Sequence, residues 1–173
     1  MKHHPIFEKL KHKSYAELEA VMAGGRAPDA RSLVGWEYRG WSPAPWITLL
    51  GIRKFMKGFF QGPEELVEGY NIPVRQNGFD DEWQPKAPRF GFYHVLPPQP
   101  PDMIHPNSLL IQYAISARNP AWKPERTIRD YIAIVDPSEP DVMLGKAVVA
   151  LGAARIQVSY FVLEKKGRTD WRP

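Results

Sequence analysis

Apolar and polar positions alternate most cleanly between residues 33 and 40, where Val34, Trp36, Tyr38 and Gly40 share one face and Gly35, Glu37 and Arg39 share the other. A period of two marks a strand, so this segment predicts a first strand over 33–40 with a buried aromatic face. Similar short runs, separated by Gly, Pro and Asn-Gly signals, predict further strands over 70–76, 89–95, 108–117, 127–136, 142–151 and 154–164. Residues 57–61 or 81–84 supply an eighth candidate. Asn77-Gly78 is a strong turn signal, and Pro73 belongs at an edge or an irregular position because it has no amide to donate.

Two helices interrupt this pattern. Ser14-Tyr-Ala-Glu17 is a capping box, and with Leu18, Val21 and Met22 it predicts a helix over 14–23 that Gly24-Gly25 stops. Ser42-Pro43 supplies a cap and a first-turn proline, and Trp46, Leu49, Leu50 and Ile52 follow at helical spacings, which predicts a helix over 43–56 ending near Gly58. Arg53, Lys54 and Lys57 then fall in its last turns and complement its dipole; the functional alternative is a basic clamp for a carboxylate or phosphate at a pocket mouth. The run Leu96-Pro-Pro-Gln-Pro-Pro-Asp102 is a stiff rim loop.

Short strands with helices ahead of them predict a mainly β protein: one antiparallel barrel, with a short N-terminal helix and a helix after the first strand. The long apolar last strand favours closure, since an open sheet would leave it as an unprotected edge. With 173 residues and 43% hydrophobic content, the chain forms a single domain, its barrel spanning about 32–164 and residues 1–13 and 165–173 forming flexible ends.

Composition narrows the function. The absence of cysteine removes disulfides and thiolate chemistry and points to a reducing cytoplasm. The N-terminus lacks the apolar core of a secretory signal and no apolar run is long enough to span a bilayer, so a soluble protein without stable membrane insertion is expected. The net charge of +4 is concentrated at the ends: residues 1–13 carry +3 and residues 164–173 carry +2, which leaves −1 on the body. No contiguous basic face remains, and nucleic acid is not an expected partner.

Gly35-Trp36, followed by Gly40, resembles the lipocalin-like, or calycin, architecture, in which Gly-x-Trp opens the first barrel strand. The closer resemblance, carried by Gly35 to Gly40, Leu49-Leu-Gly51 and Lys57-Gly-Phe59, is to small uncharacterised bacterial lipocalin-like proteins with a Gly-x-Trp-x-x-x-Gly segment, a helical Leu-Leu-Gly region and a Lys-Gly-Phe-like segment. Here Gly35 and Trp36 are adjacent, without the spacer. The resemblance implies an antiparallel barrel enclosing an apolar cavity that binds a small hydrophobic molecule.

Tests for chemistry mostly fail. Of the histidines, His3, His4 and His12 lie in the N-terminal segment, and His94 shares a strand face with Phe90 and Phe92 without a second histidine at ligand spacing. A satisfied interior imidazole is preferred there to a metal or heme ligand, and neither metal nor cofactor is expected. There is no Gly-x-Ser-x-Gly elbow and no phosphate-binding loop. Asp130 shares a face with Ile128, Ile132 and Ile134; if that face is buried, its carboxylate needs a partner, either structurally from Arg or Tyr or as an acid, base or ligand anchor. In the last strand, Gln157 and Ser159 would orient a ligand if their face points inward.

The leading expectation is a lipocalin-like protein that holds a small hydrophobic or amphipathic ligand in its barrel, with Trp36, Tyr38, Phe92, His94, Tyr113 and Tyr160 around it. The alternative is an enzyme on the same barrel, using His94, Asp130 and Glu37 for general acid/base chemistry on an apolar small molecule. A partner-binding module, with Trp41, Trp83 and Trp122 exposed, is the third reading.

Overall fold

The computed structural model describes residues 3–173, apart from the side chains at positions 45, 48 and 50. Its strands are β1 (Trp36–Trp41), β2 (Lys54–Gln61), β3 (Val67–Pro73), β4 (Phe90–Leu96), β5 (Leu109–Gln112), β6 (Ile128–Ile134), β7 (Val142–Leu151) and β8 (Ala154–Arg168). Each pairs antiparallel with its neighbour in sequence, and β8 returns to β1, so the eight strands form a closed barrel. At the seam Gly40 lies opposite Leu163 and Trp41 opposite Val162. Closure leaves no strand edge to template aggregation.

The helix predicted over 43–56 is instead one 3-10 segment, Pro45–Leu50, after which β2 begins at Lys54. Phe55, Lys57 and Phe59 alternate with Met56, Gly58 and Phe60, and a period-two pattern packs as a strand once both of its faces are covered. Arg53, Lys54 and Lys57 therefore have no helix dipole to complement. The predicted first strand starts later as well, because Ala30–Leu33 forms a helical turn (α3 below) and Gly35, at φ 78°, redirects the chain.

Both faces of the barrel wall are buried over much of its area. Outside, α1 (Pro5–Leu10) and α2 (Tyr15–Gly24) bring Phe7, Leu18 and Met22 onto Tyr131, Tyr160 and Val162. The capping box of α2 forms as the sequence predicts, Ser14 N donating to Glu17 Oε2 (2.8 Å) and Glu17 N to Ser14 Oγ (3.3 Å). Glu19 fastens α2 to the wall through Lys146 Nζ (2.8 Å) and the Tyr160 hydroxyl. The terminal segments join this outer layer: Phe7 and Leu10 are buried, β8 pairs as far as Arg168, and Trp171 meets Tyr70 edge-on at 4.4 Å. Met1 and Lys2 lie outside the described residues.

Inside, Tyr38, Phe59, Val95, Leu109, Ile134, Met143 and Leu163 fill one end of the lumen, with Leu33 of α3 (Ala30–Leu33) against them. The lumen is crowded enough that a Cβ at Gly40 would lie 2.4 Å from the Phe55 ring and one at Gly145 would lie 2.1 Å from the Phe161 ring. Those two rings meet edge-on at 5.6 Å. No helix among the described residues is long and apolar enough to cross a membrane.

Candidate functional site

At the opposite end of the barrel the lumen widens into a cavity of about 490 Å3. Ile47 and Ile52 from the β1–β2 connection, Phe90 at the start of β4, and Pro124 and Glu125 before β6 form its mouth. Phe55, Ile128, Ala147, Val149, Val158 and Phe161 form its walls. At its floor are Lys57, Asn71, Tyr113 and Asp130, contributed by β2, β3, the end of β5 and β6.

The floor is a tight hydrogen-bonded group. Lys57 Nζ donates to Asp130 Oδ2 (2.9 Å), to Tyr113 Oη (2.6 Å) and to Asn71 Oδ1 (2.8 Å), so its three protons are all used. The Tyr113 hydroxyl donates in turn to Asp130 Oδ2 (2.8 Å). Asn71 Nδ2 donates to the Gly91 carbonyl (3.0 Å), which a bulge between β3 and β4 brings within reach. Lys57 and Asp130 have side chains 3% and 6% exposed, low enough that each requires the other.

Burial dominates the electrostatics of the group. It pulls the Lys57 ammonium below the ordinary lysine range, against the opposing charge and hydrogen bond of Asp130. It also pushes the Tyr113 phenol well above its ordinary value, and the neighbouring Asp130 carboxylate adds to the effect. Tyr113 is thereby held as a phenol that donates to Asp130. Lys57 directs Nζ at three acceptors, while burial works against its charge and Asp130 works for it.

The residues singled out from sequence separate into several places. Tyr113 and Asp130 stand on the cavity floor, and the isoleucine face of β6 is indeed the inward one, with Ile132 and Ile134 buried. Tyr38 is also in the lumen but at the packed end, edge-on to Phe59 at 5.5 Å. Trp36, half-buried at the start of β1, lies beneath Lys165 Nζ (4.1 Å) and the Arg168 guanidinium (4.2 Å). Phe92 and His94 alternate with the inward Tyr93 and Val95 and point out of the barrel: Phe92 stacks on Trp171, and His94 lies beside Glu68 and Arg118 in an outer cleft. Burial lowers the His94 imidazole pKa, with Glu68 opposing. Tyr160 is on the outer face against α2.

Glu37 is also outside, accepting from the Tyr70 hydroxyl (3.0 Å) and from Arg89 (3.2 Å), so His94, Asp130 and Glu37 are not brought together. Of the three tryptophans considered for partner binding, Trp41 and Trp83 are buried and Trp122 is 76% exposed. Ser159 lines the cavity, whereas Gln157 is exposed. A bulge between Ala147 and Val148 separates the behaviour of these two β8 residues.

Sequence reasoning missed Asn71, and it raised Lys57 only as part of a basic clamp at a pocket mouth on a helix, whereas Lys57 lies on β2 at the cavity floor. The available signal was the alternation Phe55, Lys57, Phe59, which places a lysine on a phenylalanine face. Among the described residues one group of potential metal ligands, His3, Glu8 and Asp80, brings its ligand atoms within 4.8 Å of one another. Both ring nitrogens of His3 are already engaged, Nδ1 with Glu164 (3.2 Å) and Nε2 with the Phe79 carbonyl (3.2 Å), so the imidazole serves the fold. Comparison with protein-family models, with curated proteins and with solved structures finds no match to this chain.

Proposed function

We propose that this protein is a lipocalin-like binding protein that takes a small hydrophobic or amphipathic molecule into the open end of its barrel. The observation that carries this reading is the cavity of about 490 Å3, walled by apolar side chains and ending on one compact polar group. Its size falls within the range of small-molecule sites, about 300–1,000 Å3, and convergent polar groups in an apolar pocket fix a ligand's orientation. Desolvation of the ligand's apolar body supplies the affinity. The cysteine-free sequence supports a cytoplasmic setting, which fractionation of the native protein tests.

The enzyme reading draws no support from the site. Of the three groups considered for acid/base work, Glu37 and His94 lie outside the lumen, and Asp130, on the cavity floor, has no second one of them beside it.

Nile red, an uncharged apolar dye, tests the proposal. It is expected to bind with a blue-shifted, enhanced emission, and Ala147→Trp, which fills the cavity from its wall, is expected to remove that signal while circular dichroism shows the barrel intact. Unchanged dye emission with the native protein, or equal binding by the folded Ala147→Trp variant, overturns the proposal.

A further inference from the structure

We infer that the cavity recognises a ligand whose polar end is an uncharged or cationic hydrogen-bond donor, such as an alcohol or an amine, and that it rejects carboxylate-headed amphiphiles of the same length. The inference rests on the binding role proposed above and specifies the chemistry of the ligand's head.

The hydrogen-bonding capacity of the floor sets this preference. Lys57 is the one cation among the described lining residues. Its three protons go to Asp130, Tyr113 and Asn71, and its charge is matched by Asp130 at 2.9 Å. The Tyr113 proton goes to Asp130 Oδ2, and the Asn71 amide protons serve the Gly91 carbonyl and, at 3.4 Å, the Tyr113 oxygen. Asp130 Oδ2 accordingly accepts twice, whereas Oδ1 accepts from no donor among the described residues. The floor therefore presents an unused acceptor and no unused cation.

An incoming carboxylate would meet a lysine whose protons are already committed and would sit against Asp130 in a low-dielectric lumen, where like charges repel strongly. Glu125 at the mouth adds a second negative charge to the path, which makes the formal charge of the lining −1. A hydroxyl or ammonium, by contrast, satisfies Oδ1 without displacing anything. The Ser159 hydroxyl, on the wall, can donate or accept and serves either head. Insertion with the apolar end first would cover Oδ1 with hydrocarbon and leave a buried acceptor unpaired, so the donor end enters first.

The test uses decanol, decylamine and decanoate, which share one chain length and differ in the head, each displacing Nile red from the full-length protein at neutral pH. Decanol and decylamine are expected to bind about tenfold or more tightly than decanoate, the difference made by one charge-assisted hydrogen bond against one like-charge contact. Decanoate binding as well as the other two overturns the inference and leaves the binding role standing, as does displacement by none of the three when Nile red itself binds. Failure of Nile red to bind overturns both. Asp130→Asn removes the counter-charge of Lys57, and in that variant decanoate is expected to gain about tenfold over its affinity for the native protein. An unchanged preference in a folded Asp130→Asn protein overturns the assignment to Asp130, and if the variant does not fold, the native panel alone decides.

Discussion

Arg39 and Glu164 meet on the outer face of the barrel, directly across the β1–β8 seam, whereas Lys57 and Asp130 meet inside it, across the lumen. Both pairs are buried, and in both a carboxylate faces a cation at hydrogen-bonding distance. They differ in how the carboxylate is completed. Glu164 Oε1 accepts from Arg39 Nη2 (2.8 Å) and the His4 amide (2.9 Å), and Oε2 accepts from Arg39 Nε (2.8 Å) and engages His3 Nδ1 (3.2 Å). Asp130 has only one oxygen engaged by donors among the described residues. The seam pair is a finished lock that ties the N-terminal segment to the closure of the barrel. The lumen pair is a lock with an acceptor left over at the cavity floor, and that difference is the physical reason for proposing recognition for it and a structural role for the seam pair.

The largest expected effect comes from breaking the finished lock. Glu164→Ala strands a buried guanidinium and is expected to cost about 3–5 kcal/mol in urea unfolding. A cost near that of a surface substitution would mean that the bidentate geometry contributes little. Asp130→Asn keeps the shape and an acceptor, so it is expected to cost less, about 2–3 kcal/mol. A larger loss than for Glu164→Ala would reverse the ranking of the two pairs.

The seam pair also has a pH signature. Burial pushes the Glu164 carboxyl up, but the hydrogen bonds and charge of Arg39, with His4 and His3, outweigh it and hold the pKa below its ordinary 4.5. Because the folded value is the lower one, the stabilisation is complete above pH 4.5 and is lost as pH falls through the depressed value. Stability measured against pH should therefore drop across that acid range in the native protein and drop less in Glu164→Gln. The smallest effect is expected from Ser14→Ala, which removes the cap of α2 and costs about 1 kcal/mol. It loosens the outer layer alone, and Nile red affinity should be unchanged; weakened binding would show that the outer layer shapes the cavity.

Much of this was legible in the chain. The alternation of β1, the Ser14–Glu17 capping box and the need of Asp130 for a partner all follow from local rules, and the structure contains each of them. The position of Lys57 on a strand was not legible, because the apolar run from Trp46 to Ile52 matches a helix as well as it matches a short turn leading into β2. The inward faces of β4 and β8 were hidden for a different reason. The outer wall is covered by α1, α2 and the terminal segments, so it is as apolar as the lumen, and Phe92 or Tyr160 reads no differently from Tyr93 or Phe161. Bulges at Gly69–Asn71 and Ala147–Val148 then shift the faces along single strands.

By itself, the sequence determined a mainly β chain with strands of definite spacing, a capped N-terminal helix, and a carboxylate on an isoleucine face that could not remain alone. These are consequences of backbone periodicity and of the cost of burying charge, and both act over a few residues. Only the tertiary structure decided which faces look inward, that Lys57 meets Asp130 across the lumen from 73 positions away in the chain, and that one end of the barrel is packed while the other is open. Those outcomes depend on the closure of β8 onto β1 and on which side chains converge once the strands curl, and no local pattern records that convergence.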